Sequence, residues 1–141
     1  MATINTRRLW LGTVVAWVVW IIWSMVINAG ILGPRYPIAQ EAGQLLQQPR
    51  YPFFYGQWIV VLFLLSAIVA RFYVWVRGTL GPGPLTAFRV GLMVGFAAGF
   101  PGNFATATWF PLSRFFPLWW LLELWLGAVL AAMVAGYLYK D

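Results

Sequence analysis

Residues 91–105 read GLMVGFAAGFPGNFA, and the fold depends on whether one helix runs through them. Pro-Gly-Asn ordinarily separates elements, yet apolar sequence continues on both sides of it. A helix starting near Ala87 and ending at Phe100 would hold about fourteen residues, roughly 21 Å. That is too short for a hydrocarbon core of about 30 Å. The spacing therefore predicts a helix that continues to about Phe110 with a kink at Pro101 and Gly102. Pro101 has no N–H to give the Ala97 carbonyl, and its ring crowds the preceding turn.

Outward from this stretch the chain contains three more long apolar runs. Four spans are expected, at about residues 9–32, 57–76, 87–110 and 118–139. The composition agrees: of 141 residues, 62% are hydrophobic and 9% charged, against about 25% charged in a soluble domain. We therefore expect an all-α polytopic membrane protein, one transmembrane domain with four helices in an antiparallel bundle. Ten Trp, eleven Phe and six Tyr read as the aromatic load of helices that meet lipid headgroups. The first span reads as retained, because its apolar run is too long for a signal peptide and no small-residue cleavage site follows.

The residue types exclude much chemistry. With no Cys and no His, disulfide frameworks, thiolate catalysis, haem ligation by His and the default general base are absent. Glu41, Glu123 and Asp141 are the three acids, too few for a hard-cation cage. No catalytic residue, metal ligand or cofactor contact is expected, and the chain does not read as an enzyme. The net charge of +6 is scattered among the ends of apolar runs, which points to lipid and orientation and away from nucleic acid. Arg7, Arg8, Arg71, Arg77, Arg89 and Lys140 fall on one side, against Arg35, Arg50 and Arg114 on the other. This places both termini in the cytoplasm (N-in, C-in), in a bacterial cytoplasmic membrane.

The first outer loop repeats Pro-Arg-Tyr-Pro at positions 34–37 and 49–52. Between the copies, IAQEAGQLLQQ reads as a short amphipathic interfacial helix with Ile38, Ala42, Leu45 and Leu46 on one face.

In the third span Gly91, Gly95 and Gly99 recur every fourth residue. In the fourth, Gly127, Ala131 and Ala135 do so, with Ala128, Ala132 and Gly136 one step around. Such strips let two helices approach closely in lipid, and the short PLSRFFP connection makes these two helices neighbours. The next step outward on each strip is Asn103 and Glu123, which the two helices would hold at similar depth. Ser24 and Asn28 of the first span, Gln57, Thr106 and Thr108 complete a polar set in the outer half, and Arg114 is the nearest cation able to neutralise Glu123. Asn103, Thr106 and Glu123 are also placed to satisfy the backbone freed by Pro101. Two readings stand: interhelix hydrogen bonds that bind nothing, or an outward pocket or ion path at a kinked helix. The first is preferred.

Three stretches carry a resemblance: VVAWVVWIIWSMVINAGILGPRY in the first span, GLMVGFAAG in the third, and GAVLAAMVAGYLYK in the fourth. They resemble a group of uncharacterised bacterial four-helix integral membrane proteins of unknown function. The resemblance implies a fold and a membrane location, and no activity. Members of that group often carry Asp and His in the outer half of the first helix, where this chain has Ser24 and Asn28.

The expected function is a small non-catalytic membrane subunit that packs with and stabilises a larger membrane complex or a homo-oligomer. Its partners would be membrane lipids and other membrane subunits or further copies. Lipid, quinone or carotenoid could occupy its Trp/Phe grooves. The alternative is a small oligomeric transporter or channel with Glu123 and Asn103 as its site.

Overall fold

The computed structural model describes residues 3–140; Asp141, one of the three acids, lies outside them. Among the described residues the chain is all-helical. Helix α1 spans Thr6–Met25 and continues as a π-helical turn over Val26–Ile31. A 3-10 turn at Gly33–Arg35 leads into a short α2, Tyr36–Glu41. Three long helices follow: α3 (Phe54–Leu80), α4 (Pro84–Trp109) and α5 (Phe115–Leu138). Four segments, beginning with Thr6–Ile31, are long and apolar enough to cross a membrane.

The caps explain where the helices begin and end. Asn5 accepts from the Arg8 N–H at the start of α1, satisfying one of the donors a helix N-terminus leaves open. Between α3 and α4, Gly81 (φ +84°) and Gly83 (φ +136°) take backbone conformations that side-chain-bearing residues rarely adopt. Pro84 then opens α4, where its missing N–H costs nothing. Helix α4 passes through Pro101 without ending.

α5 is the central helix, packed against α1, α3 and α4. Its contact with α4 is made by the three glycines. A Cβ added at Gly91 would lie 2.5 Å from the Val129 Cα, at Gly95 2.8 Å from the Trp125 Cα, and at Gly99 3.1 Å from Leu121 Cδ1. As α4 is followed forward, its partners on α5 run backward. No larger residue fits at Gly91 or Gly95 without separating the two backbones, which is the packing rule of helices in lipid.

The α5 strip is shared differently from the expectation. Gly127 and Ala135 face α1: Gly127 lies under the Trp20 ring, and Ala135 meets Gly12, where an added Cβ would be 3.3 Å from the Ala135 carbonyl. Ala128 packs against Gly91 and Gly95 of α4, and Gly136 against Ala87 and Tyr73. One residue step rotates a helix by about 100°. Positions 127 and 135 on one side, and 128 and 136 on the other, therefore serve two different neighbours. Ala131 is fully buried between these contacts.

The loop helix is also smaller than its sequence suggested. It ends at Glu41, and Gly43 (φ +72°) turns the chain back so that the Gln44 N–H donates to the Ala39 carbonyl. Ala39 is its buried residue, beside Ile27, Leu32, Leu112 and Phe116, with Leu45 partly buried against that cluster. Ile38, Ala42 and Leu46 are exposed. The packed face is set by Leu32, Tyr36 and Ala39, spaced three or four residues apart, and misses the other positions of the expected stripe.

Candidate functional site: a buried carboxyl held by aligned donors

Glu123 lies on α5 and is almost completely buried. At 1.5 Å per residue it sits about 12 Å along the helix from Phe115. Oε1 accepts from the Ser24 hydroxyl of α1 and from the Trp58 indole N–H of α3 at 2.9 Å. The Trp20 indole donates to its backbone carbonyl at 3.1 Å. Three helices therefore converge on one residue, and each contributes a neutral donor or the acceptor itself.

Behind Ser24 the network continues toward α2. Asn28 donates from Nδ2 to the Ser24 carbonyl at 3.0 Å and to the Ser24 hydroxyl at 3.4 Å. The Tyr36 hydroxyl donates to Asn28 Oδ1 at 2.7 Å and accepts from the Trp120 indole at 3.0 Å. An indole N–H can only donate, and this fixes the polarity of the whole chain. Tyr36 accepts from Trp120 and so gives its proton to Asn28, which must present its carbonyl there and its amide to Ser24. Ser24 then gives its hydroxyl proton to Glu123.

Every bond in the series Trp120, Tyr36, Asn28, Ser24, Glu123 points its hydrogen toward the carboxyl. Aligned bonds of this kind polarise one another in a low dielectric. The arrangement suits holding an acceptor in the apolar zone, where an unsatisfied polar group costs several kcal/mol. Proton relay is a poorer match, since neither an indole nor an amide readily passes a proton on. Burial of Tyr36 raises its phenol pKa above 10.0; the Trp120 hydrogen bond opposes the shift, and the Glu123 carboxyl adds to it.

Asn28 lies in the π-turn. Its wide turn is closed by the Leu32 N–H donating to the Ile27 carbonyl at 2.8 Å. Asn28 is four residues beyond Ser24, so the two share one face of the helix, and Leu32 follows the turn toward α2. Such turns concentrate at functional positions.

The other expected site residues stand apart from Glu123. Asn103 donates to the Gly99 carbonyl of its own helix at 2.8 Å, and Thr106 and Thr108 donate to Gly102 and Phe104 in the same way. None of these bonds reaches the Ala97 carbonyl that Pro101 leaves without its usual donor. The expected Asn103–Glu123 meeting is replaced by Ser24 and Trp58. Each four-residue step drifts about 40° around a 3.6-residue helix. The strip that buries Gly91 and Gly99 has therefore turned outward by Asn103. Arg114 is exposed at the start of α5, away from a carboxyl whose bonds come from uncharged groups, and Gln57 is exposed at the start of α3.

Sequence reasoning missed Trp20, Trp58, Tyr36 and Trp120. All four were grouped with headgroup aromatics, but their N–H and O–H groups pin helices together inside the protein. Trp17 to the Ile59 carbonyl (3.0 Å), Trp23 to Leu122 (3.1 Å) and Trp125 to Leu92 (3.1 Å) repeat the device. The signal available was the three- or four-residue spacing of Trp17, Trp20 and Ser24 on one helix, which a headgroup belt does not require.

No protein-family model matches this chain, and no curated protein or solved structure matches it closely enough to indicate kinship. The class rests on the fold: an all-helical chain with four helices long and apolar enough to span a membrane. That composition and length are compatible with an integral membrane protein.

Proposed function

We propose that the chain is a small non-catalytic integral membrane subunit that packs with and stabilises a larger membrane complex or a homo-oligomer. Its helices cross a bacterial cytoplasmic membrane in alternating, antiparallel directions, with both termini inside and α2 lying at the outer interface. The six-to-three distribution of basic residues supports this orientation.

The observation that carries the reading is the outer half of α4. From Pro101 to Pro111 every residue is exposed or half-exposed, although this segment holds Asn103, Thr106 and the proline. Pro101 leaves the Ala97 carbonyl without an i+4 donor, and hydrocarbon offers none. Phe96, Phe100 and Phe104 stack in a ladder with centroids 4.8 and 5.4 Å apart. Beside them Ala98, Pro101, Gly102 and Ala105 form a low, smooth surface on which another helix can lie closely. A neighbouring membrane chain would cover this face and supply the donor.

Because the chain contains no Cys, single-cysteine variants give an unambiguous test. Ala98→Cys and Ala105→Cys in native membranes should cross-link to one defined species, identified by mass spectrometry, whereas Val14→Cys on the exposed side of α1 should not. A monomer at both α4 positions, together with purification as a monodisperse single chain, would overturn the proposal.

A second reading, a small transporter or channel, draws on the buried Glu123 beside a π-turn. Its site would comprise Glu123, Ser24 and Asn28, with Asn103 outside it. Unchanged ion flux in liposomes carrying Glu123→Gln would remove this reading.

A further inference from the structure

At the end of the molecule opposite Glu41, the last turns of α3 and α5 and the first turn of α4 leave a cleft of about 460 Å³. Its lining is mostly apolar or aromatic: Pro84 and Met133 are exposed there, and Tyr73, Ala87 and Tyr139 are buried. Two cations line it, Arg77 and Lys140. A second cleft of about 240 Å³ lies alongside and shares Arg77, Pro82 and Tyr139 with the first. Arg77 thus lines both grooves, its guanidinium 4.8 Å from the Tyr139 ring centre.

This end is tied together by hydrogen bonds. The Tyr139 hydroxyl accepts from the Asn5 N–H at 3.0 Å, and the Tyr73 hydroxyl accepts from the Gly83 N–H at 3.2 Å. The cleft walls are therefore fixed by the packing of four helices. Arg7 and Arg8 in the first turn of α1 and Arg89 in the second turn of α4 lie at the same end.

We infer that this double cleft is a binding site for one anionic phospholipid, with the headgroup phosphate between Arg77 and Lys140 and an acyl chain against Met133 and Pro84. Charge and shape support it together. Cations at a helix end where apolar grooves begin match a molecule with an anionic head and apolar tails, and a soluble anion would leave the exposed Met133 and Pro84 uncovered. The inference rests on membrane placement, which it shares with the proposed function, and is independent of any protein partner.

The test uses the full chain purified in neutral detergent, with binding read by native mass spectrometry. The probes are phosphatidylglycerol, phosphatidylcholine with the same acyl chains, and inorganic phosphate. One phosphatidylglycerol should bind at least several-fold more tightly than phosphatidylcholine, and millimolar phosphate should not displace it. Lys140→Gln and Arg77→Gln should each weaken it about fivefold, while Arg50→Gln at the other end leaves it unchanged. Lys140 is exposed, so its variant reads the site even if Arg77→Gln disturbs the Tyr139 contact. Equal binding of the two lipids, or undiminished phosphatidylglycerol binding by Lys140→Gln, would overturn the inference. Displacement by phosphate would also overturn it, by showing a site for a free anion. A single-chain monomer that still binds phosphatidylglycerol selectively would separate this result from failure of the subunit proposal.

Discussion

The indole of Trp20 fills the space that a side chain at Gly127 would occupy, and its N–H donates to the Glu123 carbonyl one turn away on the same helix. Steric fit and hydrogen bond therefore fix α1 against α5 at one place. Gly127→Ala should drive the indole out of position and lower stability by about 1–3 kcal/mol, the usual cost of overpacking. Gly102→Ala provides the contrast, because nothing lies within 4 Å of a Cβ there. It should leave stability unchanged or raise it by up to about 1 kcal/mol through helix propensity. Thermal unfolding of both variants in one detergent measures the difference, and equal melting temperatures would count against the Trp20–Gly127 fit.

Glu123 accepts from Ser24 and Trp58 through one oxygen. Replacing it with Leu keeps apolar bulk but leaves both donors buried without their acceptor, a loss of about 1–3 kcal/mol. Glu123→Gln retains a carbonyl oxygen at that position and should lose less. The order parent, Gln, Leu in thermal stability is the expected result. A Leu variant as stable as the parent would show that the donors find other partners.

How much of this was legible in the sequence varies by element. The four long helices followed from apolar length. Each begins three residues earlier than expected, and α3 also ends later, at Leu80, because Phe-Tyr-Gly and Arg-Gly-Thr-Leu look like loop when only hydropathy is counted. Gly91, Gly95 and Gly99 were legible as a close-packing strip, since small residues at four-residue spacing have few other uses in an apolar helix. Glu123 stood out as the one acid within a span, but its partners did not. Trp58 and Tyr36 come from distant segments, and an indole has the same one-letter code whether it faces headgroups or donates inside a bundle. The π-turn at Val26–Ile31 has no residue signature either; it arises where α1 must meet α2. Asn103 was misplaced by extending a strip beyond the point where helical drift had rotated it away.

That rotation makes a measurable distinction between two polar residues that looked alike in sequence. Asn103 only doubles the bonding of the Gly99 carbonyl within its own helix, which the continuing backbone of α4 already serves. Asn103→Ala should therefore change the stability of the isolated chain by less than about 1 kcal/mol. Ser24 joins Asn28 to Glu123 across two helices, and Ser24→Ala should cost about 1–3 kcal/mol by breaking that link. Denaturation of the two variants side by side in detergent checks the ranking. A larger loss for Asn103→Ala would restore Asn103 to the buried network.

Tyr36 connects the short helix α2 to the same network, and its burial gives the connection a pH dependence. The folded-state pKa is raised above the ordinary 10.0, with burial as the largest cause. The folded chain consequently holds the phenol proton more tightly than the unfolded chain does. Its contribution is complete below pH 10 and declines as pH rises from there through the folded-state value, because only the unfolded state then gains from ionisation. Melting temperatures measured from pH 8 upward should fall above about pH 10 in the parent, and Tyr36→Phe should flatten that fall. The same substitution leaves Trp120 Nε1 and Asn28 Oδ1 without their shared hydroxyl, so the variant should begin about 1–3 kcal/mol less stable at neutral pH. A lower starting stability with the parent's full alkaline slope would place the titrating group elsewhere. Loss of the slope together with the neutral-pH deficit would assign both to the Tyr36 hydroxyl.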